Sequence, residues 1–276
     1  MKINNCWVFC IVLSCFSLSF LLGMDTTTGS WVNSMFKPNI ESVSLLPEFS
    51  DAYGVAFRDL NGDGDADLYV VRFRNLNRMF LYQSTMGRFK DITIQTGLGG
   101  NLYPRHLENL ELGASVVDYD NDGLQDVLIS GWGVTTKLFR QSQKLKFQDV
   151  SEQVGFQTPF SGNGGVWADV DVDGDLDLYL TNEHGENRLY IQSSKGKFAD
   201  KAAEYGVNDE GISQSASFAD VDMDGYPDLY VCNWYAPDIF YRNDEEIIFL
   251  LFSIVDYIYW YDLFYKQSQF LSDLLP

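Results

Sequence analysis

Three observations in this 276-residue sequence predict an all-β fold, a β-propeller built of four-stranded blades of which about four are visible. An acidic loop of one pattern occurs four times, with its first aspartate at Asp59, Asp118, Asp169 and Asp220. Strand-sized runs of aromatic and β-branched residues surround each loop, bounded by Gly, Asp and Asn turns. The repeat has a period of about 50 residues, which is the length of four short strands and their turns.

Each repeat justifies its elements in the same order. A small-residue strand comes first: "YGVAF", "LGASVV", "GGVWA" and "SASFA". The acidic loop follows and leads into an apolar strand: "DLYVV", "DVLIS", "DLYLTN" and "DLYVCN". An aromatic third strand is next: "NRMFLYQ", "TKLFRQ", "NRLYIQ" and "DIFYRN". A fourth strand begins near Phe in "GRFKD", "LKFQD" and "GKFAD", with no matching fourth copy. The one helical hint is "DKAAEYG", which reads as a turn between blades.

Four stretches organise the chain: 1–23, 24–47, 48–246 and 247–276. The first joins Lys2 to the uncharged run Cys6–Gly23 and reads as a cleaved secretory signal. A retained signal anchor and a lipoprotein signal ending at Cys15 are the alternatives. Residues 24–47 are a lead-in, and 48–246 are the repeats. The tail "EEIIFLLFSIVDYIYWYDLFYKQSQFLSDLLP" carries no repeat; as a membrane segment it would have to bury Asp256 and Asp262. Cys6, Cys10 and Cys15 lie in the leader, which leaves Cys232 as a buried small apolar strand residue.

Hydrophobic residues make up 46% of the chain, enough for a sizeable core. The net charge of −20 excludes nucleic acid and anionic membrane surfaces as partners, because both require basic patches. A membrane is expected only through an uncleaved leader, a lipid anchor or the tail.

The loops follow Asp-x-Asp/Asn-x-Asp-Gly-x-x-Asp. The candidate ligands are Asp59, Asn61, Asp63 and Asp67; Asp118, Asp120, Asp122 and Asp126; Asp169, Asp171, Asp173 and Asp177; and Asp220, Asp222, Asp224 and Asp228. The seventh position (Asp65, Leu124, Asp175, Tyr226) varies in chemistry, as expected where a backbone carbonyl is the donor. Oxygen-rich, tightly turned loops suit a hard cation, and Ca²⁺ accepts 6 to 8 oxygens in flexible geometry, so about four ions are expected. Gly64, Gly123, Gly174 and Gly225 supply the sharp bend. Metal-free Asx turns are the plainer alternative, made less attractive by four copies in one register. An EF-hand is rejected, since its twelfth-position Glu is replaced by Val70, Ile129, Leu180 and Val231.

The unit resembles the FG-GAP/VCBS repeat of integrin-α-type β-propellers, and is similar to the secreted family of cartilage acidic protein-like proteins. The resemblance covers roughly residues 48 to 243. It implies that the small-residue strand is innermost, that the loop joins the first two strands of a blade and binds Ca²⁺, and that the protein is a secreted scaffold for binding or adhesion. Such propellers usually have seven blades, so four repeats imply part of a larger array, with two blade flanks exposed if it stands alone.

No catalytic constellation is expected. His106 and His184 fall in loops outside any nucleophile or zinc signature. The aspartates repeat, whereas a catalytic carboxylate pair would occur once. Trp132, Trp167 and Trp234 are expected in core packing, with carbohydrate stacking as the weaker option. Function therefore reads as a non-catalytic extracellular binding scaffold with a protein or glycan ligand; the alternative is the propeller portion of a secreted Ca²⁺-dependent enzyme.

Overall fold

The computed structural model describes residues 52–72, 76–99, 110–132, 136–156, 162–194, 196–244 and 249–253. The expected leader and lead-in, the cysteines at 6, 10 and 15, His106 and the tail beyond 253 lie outside the described residues.

Four antiparallel sheets of four strands form, each a simple meander in chain order. The first blade is β1 (Ala52–Arg58), β2 (Asp67–Arg72), β3 (Arg78–Gln83) and β4 (Arg88–Asp91). The second is β5 (Leu110–Val117), β6 (Asp126–Trp132), β7 (Lys137–Gln143) and β8 (Lys146–Asp149). The third is β9 (Gly165–Ala168), β10 (Asp177–Leu180), β11 (Arg188–Ser194) and β12 (Lys197–Asp200). The fourth is β13 (Ile212–Ala219), β14 (Asp228–Trp234), β15 (Ile239–Asn243) and β16 (Phe249–Ser253).

The expected all-β blade architecture is therefore present. The fourth blade completes itself without a Gly-x-Phe signal. β16, drawn from the apolar tail, pairs with β15 from Ile239↔Ser253 to Asn243↔Phe249. The turn expected at "DKAAEYG" is a turn, while the first two blades carry one-turn helices at that place, α1 (Thr93–Thr96) and α2 (Ser151–Val154).

The second strand of each of the first three blades is buried on both faces, which explains its unbroken apolar run, whereas β14 buries Leu229 and Val231 but leaves Tyr230 and Cys232 half-buried and Trp234 exposed. Side-chain alternation sends Leu178 and Leu180 into a cluster with Leu128, Leu138 and Phe156 of the second blade. Tyr179, between them, faces Leu229, Val231 and Tyr241 of the fourth. Tyr69, Val71 and Met79 meet Val127 and Ile129 in the same way. The core is thus a series of layers between neighbouring blades.

The small residues of the first strands answer to close approach. A Cβ on Gly54 would lie 2.6 Å from the carbonyl oxygen of Leu112, and one on Gly113 would lie 2.3 Å from that of Asn163. The first strand of one blade there meets the backbone of the next blade's first strand, or of the segment leading into it, and a side chain is excluded.

Val116, Trp167 and Phe218 stand two residues before the first loop aspartate, and each packs against an interblade cluster. Phe57 stands in that column of the first blade and is 60% exposed, beside similarly exposed Tyr53 and Val55. Trp167 also donates from Nε1 to Ser115 Oγ at 2.9 Å, which makes it an interblade residue and not a free platform.

Candidate metal centres in the acidic loops

Each loop connects the first and second strands of its blade, so the four lie in equivalent places. Their internal wiring repeats. The first aspartate accepts the N–H groups of the fifth and sixth positions. In the third blade, Asp169 takes Asp173 N at 2.9 Å and Gly174 N at 2.9 Å. Asp118 and Asp220 do the same for Asp122 and Gly123, and for Asp224 and Gly225. The fifth aspartate accepts the seventh N–H: Asp63 from Asp65, Asp122 from Leu124, Asp173 from Asp175 and Asp224 from Tyr226, all at 2.9 Å. These bonds curl the chain, and in the second, third and fourth loops the carboxylates converge.

The sixth-position glycines adopt φ of 90°, 87°, 94° and 97°, as the bend requires. A second left-handed residue sits two places earlier, and sequence reading missed it. Gly62 and Asn121 suit that conformation; Val172 (φ 58°) and Met223 (φ 64°) do not. Asparagine tolerates it far better than a β-branched side chain, and Val172 is 52% exposed, so little burial is at stake. Val172→Asn is therefore expected to stabilise the protein by about 1 kcal/mol, read as a raised urea midpoint. An unchanged or lowered midpoint would refute the strain.

The ninth aspartates have a double character. Asp67, Asp126, Asp177 and Asp228 are at most 1% exposed. In each, Oδ2 accepts the N–H that follows the first aspartate: Leu60 at 3.0 Å, Tyr119 at 3.3 Å, Val170 at 2.9 Å and Val221 at 3.0 Å. Oδ1 accepts from the third strand: Tyr82 at 2.9 Å, Gln141 at 2.7 Å, Gln192 at 2.8 Å and Asn243 at 2.9 Å. Each pins its own loop to its own sheet. Burial pushes the Asp126 and Asp177 carboxyls up to about 7, against the pull of these backbone N–H groups. At Asp59 the balance reverses: burial raises it, but N–H groups of Gly64, Gly62, Asp63 and Asn61 together hold it below the usual range.

The third-strand amides form a latch that the sequence does not announce. Gln141 Nε2 reaches Leu60 O of the preceding blade at 3.3 Å; Gln192 reaches Tyr119 O at 3.1 Å; Asn243 reaches Val170 O at 2.9 Å. In the first blade, register places Tyr82 in this column, and the look-alike Gln83 falls one residue beyond it.

Among the described residues, three groups of carboxylates place an oxygen of every member within 4.8 Å of the others: Asp118, Asp120 and Asp122; Asp169, Asp171 and Asp177; and Asp220, Asp222 and Asp224. The first loop carries Asn61 at its third position, with Nδ2 3.4 Å from Asp67 Oδ2. Asp120 has a side chain only 10% exposed, and its Oδ1 is buried with no partner. A buried carboxylate oxygen without a donor is costly. A hard divalent cation satisfies it, and the all-oxygen donor set fits such an ion. His184 packs its ring against Trp132 at 5.8 Å and belongs to none of these groups. Cys232 is a half-buried thiol on β14.

A family model described as an FG-GAP-like repeat matches residues 59–129, 118–180 and 169–231, together more than half of the chain. Cartilage acidic protein 1 of Mus musculus is 26% identical over 215 residues, covering 72% of this chain and 33% of the relative. The Homo sapiens protein of that name is also 26% identical over 215 residues, covering 72% of this chain and 32% of its own. This chain thus spans about a third of the length of these curated relatives. A solved structure from work on recognition of non-reducing terminal N-acetylglucosamine by an Agrocybe aegerita lectin aligns with TM-score 0.48 and 15% identity, over 74% of this chain and 53% of that one.

Proposed function

The chain belongs to the FG-GAP-like repeat family, and from that premise we propose that it is a non-catalytic extracellular scaffold whose blades are clamped by Ca²⁺ and whose faces bind a protein or glycan partner. The observation that carries the calcium reading is the cradle at Asp118, Asp120 and Asp122, with the buried and unpartnered Asp120 Oδ1 turned to no donor in the chain. Its N–H wiring recurs in the other loops, and the first aspartate, the third position and the fifth aspartate of each are assigned as side-chain ligands, with the ninth aspartate, which the third loop alone draws into its carboxylate group, as a further one. The likeness to cartilage acidic protein 1 and the apolar leader support an extracellular place.

A partner surface is supported by Trp234 and Tyr235. They are 56% and 85% exposed and stack at 4.7 Å with an interplanar angle of 21°. Trp234 ends β14 and Tyr235 follows it, at the opposite end of β14 from the acidic loop. Such a pair offers a flat apolar surface to a sugar ring or a protein side chain.

The test is a calorimetric Ca²⁺ titration of the full chain. The expected stoichiometry is about four, reduced by one site in Asp173→Ala. A folded protein that takes up no Ca²⁺ would overturn the reading and leave the loops as Asx turns.

A further inference from the structure

Two of the four acidic loops carry a cation of their own. Arg140, on β7, places Nε 2.6 Å from Asp120 Oδ2 and Nη2 2.7 Å from Asp122 Oδ2. Arg242, on β15, lies one residue before Asn243 as Arg140 lies before Gln141. Its Nε is 3.1 Å from Asp222 Oδ2, without the alignment of a hydrogen bond, and its Nη2 is 3.2 Å from Asp244 Oδ1. Register puts Leu81 and Ile191 in this column of the first and third blades, where no charge is offered. The third blade therefore has four loop aspartates and no guanidinium on them from this column. The second and fourth have the same four aspartates with an arginine against the third position.

We propose that Arg140 and Arg242 are internal counter-ions that compete with Ca²⁺, so that the loops load in classes, the third blade ahead of the second and fourth. The inference rests on the calcium reading above. Its physical basis has two parts of the same sign. A guanidinium against two carboxylates relieves their repulsion and stabilises the metal-free loop. The same positive charge then repels an arriving divalent ion held only a few ångströms away. Asp120 displays the division of labour: Oδ2 is held by Arg140, while Oδ1 is left unpartnered and available to an ion. The arginine thus orients the ligand and weakens the site together. Blades that fill at different Ca²⁺ concentrations give the array a graded stiffness in place of a single all-or-none clamp. Arg140 grips two carboxylates of its loop and Arg242 one, so the second blade is the more strongly attenuated.

Calcium titration of the full chain, wild type against Arg140→Gln, Arg140→Lys and Arg242→Gln, tests this. Arg140→Gln is expected to tighten one site about tenfold, the scale of one unit charge acting on a divalent ion through a high effective dielectric. Arg242→Gln tightens a different site by less, and the two gains add. Arg140→Lys keeps the charge but loses the fork that grips both carboxylates, so its site is expected between wild type and Arg140→Gln. Circular dichroism checks that each variant is folded, and because the two arginines lie in separate blades, either variant alone suffices. Wild-type Ca²⁺ binding with constants unchanged or weakened in both glutamine variants would overturn the counter-ion role and leave the calcium reading standing. Absence of wild-type binding would overturn the calcium reading itself.

Discussion

Asp177→Ala destabilises the metal-free protein by about 3–5 kcal/mol, the cost of leaving two buried N–H groups without their carboxyl acceptor. Those groups are Val170 N at 2.9 Å and Gln192 N at 2.8 Å. The site is 1% exposed, so water does not replace the carboxylate. The change also reaches the neighbouring blade, because Gln192 holds Tyr119 O from there. Asp173→Ala is the informative comparison. Asp173 Oδ1 accepts a single N–H, that of Asp175, in an exposed part of the loop. Its loss costs well under 1–2 kcal/mol without metal. Urea unfolding in chelator therefore separates the two aspartates that a ligand pattern treats alike. Asp177→Ala is severe with or without Ca²⁺, and Asp173→Ala shows most of its cost only when Ca²⁺ is present. A loss below about 1 kcal/mol for Asp177→Ala in chelator would refute the structural role.

Withdrawing Ca²⁺ has the second large effect. An ion bound only by the folded state contributes about 2.7 kcal/mol when free Ca²⁺ exceeds the dissociation constant about a hundredfold. Four such sites acting on a domain of this size correspond to a fall in melting temperature of about 20 °C or more, at roughly 2–4 °C per kcal/mol. Melts in Ca²⁺ and in chelator measure it. The loops connect the first and second strands of every blade, and the ninth aspartate ties each loop to its third strand. Loss of the ions therefore loosens three of the four strands together, and the melt should stay cooperative. A difference of only 1 or 2 °C would mean that the loops hold their shape by backbone hydrogen bonds alone.

Much of this molecule is legible in the chain because its signals are local. The period of the loops gives the blades, since each blade is one continuous meander with no long-range crossing. The Asp-x-Asp-x-Asp-Gly pattern gives the turn, since the aspartate-to-N–H bonds span two to five residues. The apolar runs at "DLYVV" and "DLYLTN" give strands buried on both faces. The left-handed fourth position was partly readable from Gly62 and Asn121, and was hidden by Val172 and Met223, whose side chains argue against it.

Taken by itself, the sequence determined the all-β class, the four repeats, the order of strands in each blade and the convergence of acidic side chains that three of the four loops show. All of these follow from contacts within about 50 residues and from a side-chain period of two. Only the tertiary structure decided which aspartates are buried hubs, that Gln141, Gln192 and Asn243 latch one blade to the last, that Arg140 and Arg242 close on carboxylates, and that β16 completes the fourth blade. The latches join residues 81, 73 and 73 positions apart. Such contacts are set by the stacking of one sheet on the next, and a one-residue shift in register, as between Tyr82 and Gln83, changes which side chain arrives.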